Sequence, residues 1–130
     1  MKIVLDTHAW IWWVADPKRL SVPVAEAIGA AETIGVSAIS CWEVAMLVGK
    51  GRIAIDRPIE RWIRQALARP GVQALPLGPQ VATAAGMLDS AEFPGGPADR
   101  FLYATARASG STLLTRDRAL RDYDPRGTLW

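Results

Sequence analysis

The strongest restriction on the fold comes from short, unbroken apolar runs separated by helix-length segments. Ile3-Val4-Leu5 is the clearest of them. A run without alternation reads as a strand buried on both faces, as in a parallel sheet covered by helices. Ile34 to Ile39 reads as a second strand, Val72 to Leu77 as a third and Thr112 to Thr115 as a fourth, with Thr128-Leu129-Trp130 as an added edge strand. Helical signals lie between them. Ser21-Val22-Pro23 opens a helix through Ile28. The Ser40-x-x-Glu43 capping box starts another, which runs to about Val48 and stops at Gly49-Lys50-Gly51. Ile59, Trp62, Ile63 and Ala66 carry helical spacing across Pro58 to Leu67. Val81 to Leu88 is helical, Phe93 to Pro97 is a loop, Ala98 to Ala108 is a helix closed by Gly110, and Arg118 to Tyr123 is a short last helix. The stretch from about Ala9 to Ala15 is apolar and rich in tryptophan, and Asp16-Pro17 ends it in a turn. Strands alternating with helices give an α/β fold: a mainly parallel sheet of four to five strands with helices on both faces.

Residues 1–130 suit one domain, with no internal repeat and no linker. Half the chain is hydrophobic and 22% is charged, which excludes a disordered chain. Cys41 is the only cysteine, so no internal disulfide supports the fold. Asp6 and His8 interrupt the apolar start, and no apolar run approaches the roughly 18 residues that cross a bilayer. These features place the chain in the cytoplasm, away from membranes. The net charge of +2 identifies nothing by itself. The basic residues are arginine except at Lys2, Lys18 and Lys50. Arginine binds phosphate through a rigid fork, although a GC-rich genome would produce the same bias.

Four acids fall where such a sheet carries its chemistry, at the carboxyl ends of strands near the switch in strand order. Asp6 directly follows the first strand. Glu43 sits in the first turn of the helix after the second. Asp117 follows the fourth strand by one residue. Asp99 opens the helix leading into that strand, and a helix packed antiparallel to the sheet starts on the same side. Crowded carboxylates repel, and a divalent cation relieves the repulsion. Hard oxygen ligands suit Mg²⁺ or Mn²⁺, and such sites hydrolyse phosphodiesters. His8 is the only histidine, so neither a zinc set nor a Ser/His/Asp triad is on offer. A phosphate-cradling Gly-rich Lys-Ser/Thr loop is absent as well. Each acid also has a structural reading. Glu43 closes the capping box, Asp117 caps the last helix and Asp99 answers a helix dipole. Asp6 is hardest to explain that way, because an acid after a buried strand is costly without partners.

Leu5-Asp6-Thr7-His8-Ala9-Trp10, Ser37 to Glu43, Pro97-Ala98-Asp99-Arg100 and Leu114-Thr115-Arg116-Asp117 resemble, in order and spacing, the signature blocks of PIN-domain proteins of the VapC toxin type. The resemblance runs from about residue 2 to residue 123. It implies a PIN-like three-layer α/β/α sandwich and an Mg²⁺- or Mn²⁺-dependent endoribonuclease. It also implies inhibition by a VapB-type antitoxin, a homodimer and larger toxin–antitoxin assemblies. By position, Asp6, Glu43, Asp99 and Asp117 would be the catalytic and metal-binding acids. Thr115 would orient Asp117, a water or the substrate. Relatives commonly carry a further Asp where this chain has Gly96, which implies at most a changed loop or altered metal affinity.

Arg100 and Arg116 flank two of the acids. Either they hold RNA phosphates or balance the acids, or they are surface and ion-pair residues. His8 reads as a structural hydrogen-bonding residue, with contact to RNA as the other reading. Trp10, Trp12, Trp13, Trp42 and Trp62 read as core or interface rather than base-stacking platforms. Part of the Trp10–Trp13 segment, or the helices around Trp42 and Trp62, would then contact the antitoxin or a second copy. The alternative function is a non-catalytic PIN-like module that binds RNA or protein, and the retention of all four acids favours the enzyme. A haloacid-dehalogenase-type phosphatase would need an acid where His8 stands, and a receiver domain would need a late lysine, absent after Lys50.

Overall fold

The apolar runs divide their residues between two cores, as strands covered on both sides must. Ile3 and Leu5 face one core and Val4 the other; Leu114 and Leu113 divide in the same way. A computed structural model describes residues 1–130. Its strands are β1 (Ile3–Leu5), β2 (Ile34–Ser37), β3 (Val72–Leu75), β4 (Thr112–Leu114) and β5 (Thr128–Leu129). They form one sheet in the order β3-β2-β1-β4-β5, and every pairing is parallel. The expected sheet of four to five strands, mainly parallel, is thus five-stranded and wholly parallel.

The helices are α1 (Thr7–Ala15), α2 (Val22–Ala30), α3 (Ala38–Gly49), α4 (Ile59–Leu67), α5 (Pro79–Met87), α6 (Pro97–Ala108) and α7 (Arg118–Tyr123), with a 3₁₀ turn at Pro17–Arg19. Trp10, Val24, Val44 and Trp62, from α1 to α4, fill the core on one face. Leu102, Tyr103, Ala106 and Leu120, from α6 and α7, join Phe93 on the other. Trp10 is fully buried and meets Trp62 edge to face at 5.1 Å. Such aromatic pairs add about 0.5–1.5 kcal/mol to the burial of their area. At the end of α6, Gly110 takes φ +63°, a left-handed conformation that glycine enters without steric cost.

Two local expectations change. The tryptophan-rich stretch is α1, beginning at Thr7 with Asp6 as its N-cap. It is apolar nearly all round, so it shows no amphipathic period. The capping box at Ser40 is not formed. The hydroxyl of Ser37 accepts from the Ile39 N–H at 3.2 Å, and α3 therefore starts before Ser40. Glu43 is the sixth residue of α3 and so lies beyond its first turn.

Strands run outward from β1 through β2 to β3, then return to the other side of β1 as β4. The carboxyl ends of β1 and β4 therefore border the switch in strand order, where open parallel sheets form their clefts. The Asp6 N–H donates to the Leu114 carbonyl at 2.9 Å, holding the two strand ends together.

Candidate active site

A cleft of about 550 Å³ opens at this switch point and is lined by Asp6, Glu43, Asp99 and Asp117, together with His8, Trp12, Arg19 and Arg116. Each acid is anchored by its own element. Asp6, partly buried, accepts from the Thr7 N–H at 2.6 Å and from Thr115 Oγ1 at 2.5 Å. Glu43 Oε1 accepts from Thr7 Oγ1 at 2.7 Å, and Ser40 Oγ lies 2.9 Å from the same hydroxyl. Asp99 Oδ2 accepts from the Gly96 N–H at 3.1 Å at the start of α6. Asp117 Oδ1 accepts from the Ala119 and Leu120 N–H groups and caps α7. The helix-terminal readings of Asp99 and Asp117 are thus realised alongside their place on the cleft. Glu43 Oε2, Asp99 Oδ1 and Asp117 Oδ2 have no partner within the chain.

No salt bridge neutralises the acids, and only His8 opposes the rise at Asp6 and Glu43 as a nearby positive charge. The protein's ion pairs are Arg57–Asp56 and Arg107–Asp124, and neither touches the cleft. Burial pushes the Asp6 carboxyl above its ordinary range, and the charge of Asp99 adds to the rise. Burial raises Glu43 too, with Asp6 and Asp99 adding repulsion, while the Thr7 hydroxyl acts in the opposite direction. Burial raises Asp99, helped by Asp117. No three of the carboxylates close onto one point as a finished ligand set. Asp6, Asp99 and Asp117 are each tethered at the start of their own helix, and Glu43 is tethered to Thr7 at the start of α1. The donor set still fits a hard divalent cation: all-oxygen, anionic, without basic partners and with coordinating atoms free.

Residues 3–125 match the family model of the PIN domain. The chain belongs to the PIN-domain family. Across 130 residues, 98% of both chains, this PIN domain is 42% identical to Ribonuclease VapC22 of Mycobacterium tuberculosis. Its fold is similar to a chain of VapBC2 from Rickettsia felis bound to a promoter DNA fragment: TM-score 0.71, 14% identity, 99% of this chain and 98% of the other. It is also similar to a toxin–antitoxin complex from Klebsiella pneumoniae: TM-score 0.69, 20% identity, coverage 99% and 97%.

The PIN domain arranges its other candidate residues unevenly. Thr115 is fully buried; it donates to Asp6 and accepts from the Asp117 N–H at 3.0 Å, tying two acids together. Arg116 reaches the cleft, whereas Arg100 does not. The Arg100 guanidinium donates to the carbonyls of Ala85 and Leu88 and to Ser90 Oγ, bracing the loop between α5 and α6. Arg100 is therefore a structural clasp rather than a free phosphate ligand. His8 is exposed on the cleft, and its ring makes no hydrogen bond within the chain, contrary to the structural hydrogen-bonding role expected of it. Thr7 and Arg19 were not legible as site residues. The position of Thr7 beside Asp6 was the only available signal for it, and nothing local marks Arg19.

Proposed function

We propose that this PIN domain is a divalent-metal-dependent endoribonuclease of the cytoplasm and the toxin of a toxin–antitoxin pair, restrained by a VapB-type antitoxin and acting as a homodimer. The observation that carries the reading is the set of four carboxylates, free of basic partners, on one cleft at the topological switch. Support comes from the 42% identity to Ribonuclease VapC22 and from the likeness to chains of toxin–antitoxin complexes. Asp6, Glu43, Asp99 and Asp117 would hold Mg²⁺ or Mn²⁺. When bound, that cation would supply charge stabilisation to the phosphoryl group under attack. The residues' own tasks follow from their bonds. Thr115 fixes Asp6 and the start of the Asp117 loop. Thr7 fixes one oxygen of Glu43 and leaves Oε2 to hold the cation. Arg116 faces the phosphate backbone. The deciding experiment incubates purified protein with RNA in Mg²⁺, in Mn²⁺ and in EDTA. Cleavage in either metal, abolished by EDTA and by Asp99→Asn, is the expected result. The open arrangement of the acids favours one second reading, a PIN domain that binds RNA or protein without cutting. RNA left intact in both metals would favour that reading.

A further inference from the structure

Trp12 lies on α1 one turn beyond His8, under the rim of the acidic cleft. Trp12 is only 8% exposed as a residue, which leaves a nucleobase little ring to stack on. Two guanidiniums and two rings do the covering. Arg19 Cζ lies 4.4 Å from the ring centroid and Arg116 Cζ 5.7 Å. Trp130 meets the ring edge-on at 5.7 Å, and His8 is tilted against it at 5.8 Å. Arg19 comes from the 3₁₀ turn and Arg116 from the segment after β4, so distant parts of the chain converge on one indole. Both arginines line the cleft with the four acids, yet neither pairs with any of them. Something other than the carboxylates holds both guanidiniums in place. Attraction to the face of a tryptophan supplies that hold. The acids then remain without a salt bridge, and the guanidinium N–H groups keep no acceptor within the chain. Arg100, by contrast, is engaged by two carbonyls and a hydroxyl.

We propose that Arg19 and Arg116, mounted on the ring of Trp12, form a phosphate-binding rim that grips the RNA backbone beside the bond to be cut. This rests on the nuclease reading and deepens it, because it names the part of the substrate that is held. The arginine fork matches phosphate oxygens bidentately, and contacts of that kind fix position without reading sequence. The cleft thereby sorts charge: its carboxylates take the cation, and its arginines take the phosphates flanking the scissile one. Trp12 is a positioning residue that keeps the two sets from neutralising each other.

The test follows the anisotropy of a fluorescein-labelled single-stranded RNA on Asp99→Asn protein, which does not cut it, across a salt series in Mg²⁺. Arg19→Ala and Arg116→Ala should each raise Kd on the order of tenfold, the scale of one charge-assisted hydrogen bond. The rise should be equal for two unrelated sequences, and the slope of log Kd on log salt should fall by about 0.7 for each arginine. Trp12→Leu should reproduce the double arginine loss, and Trp12→Phe, which keeps an aromatic face, should restore most of the binding. Mn²⁺ affinity of Arg19→Ala, read by calorimetry on the otherwise unaltered chain, should hold or tighten, since a neighbouring positive charge is gone. Unchanged Kd and salt slope in both arginine variants overturns the rim and leaves the nuclease reading standing. Intact RNA in the metal assay, with binding still lowered by the arginine variants, overturns the nuclease reading and keeps the rim. Should Trp12→Leu fail to fold, the two exposed arginine variants decide the question alone.

Discussion

Asp6 holds a charge in a place that discourages charge, and two donors offset only part of the cost. Asn at this position keeps an oxygen for the Thr7 N–H and turns its amide toward Thr115. Asp6→Asn should lower RNA cleavage on the order of a thousandfold, the several kcal/mol that a cation ligand contributes to such a transition state. Its effect on stability has the opposite sign. A carboxyl whose folded pKa is raised favours the fold fully only below its ordinary pKa, near 3.8 for Asp6, and that contribution is lost as pH rises. Metal-free Asp6→Asn should therefore melt at or above the wild-type temperature at pH 7, and the gap should close near pH 4. A variant melting well below wild type at pH 7 would show that the carboxylate stabilises the fold. Tyr103 titrates at the other end of the scale. Burial pushes it up to about 12, and its hydrogen bond to Asp124, 2.8 Å long, adds to the rise. Its contribution is complete below about pH 10 and lost as pH climbs through 12, because the unfolded chain gives up the proton first. Denaturant midpoints should fall across that window, and Tyr103→Phe should flatten the fall.

At the scale of elements, three of the four acids sit at helix amino ends, Asp6 and Asp117 as N-caps and Asp99 in the first turn of α6, while Glu43 lies further along α3. The start of α6 is the tightest case. A Cβ on Gly95 would lie 2.5 Å from Asp99 Cβ and 2.9 Å from Phe93 Cε2, so the loop closes over Asp99 only because glycine is there. Gly95→Ala should displace Asp99, weakening Mn²⁺ binding and cleavage several-fold while the circular dichroism stays native. Retained Mn²⁺ affinity would mean that the loop yields instead of the acid. The same scale explains what the sequence misled about. Ser40 and Glu43 have capping-box spacing, but Ser37, three residues earlier, has the extended backbone that capping requires and a hydroxyl that reaches the Ile39 N–H. Ser40 is buried against Thr7 instead. Helix α1 escaped notice because a segment buried on nearly every side leaves no polar face to mark its period.

For the molecule as a whole, strand order sets the site. Folding brings together Asp6 and Thr115, which are 109 residues apart in sequence. The resulting repulsion is stored in the metal-free fold, and a cation bound only by that fold stabilises it by mass action. Mg²⁺ or Mn²⁺ should raise the melting temperature of the wild-type protein, by about 2.7 kcal/mol of added stability at a hundredfold excess over Kd. EDTA should reverse the gain, and Asp6→Asn and Asp99→Asn should largely lack it. An equal rise in those variants would place the cation elsewhere on the surface.

Local chemistry was enough to write the α/β alternation, most element positions and the acids that follow β1 and β4, since apolar runs and their polar ends are properties of neighbours in the chain. Tertiary packing decided the rest. It set the order of the five strands, tethered Glu43 to Thr7, drew Arg100 away to carbonyls at the end of α5, and brought Arg19 onto Trp12. Those outcomes depend on which surfaces meet after the sheet forms. Contacts that form only when separate elements pack leave no periodic or compositional trace along a single chain.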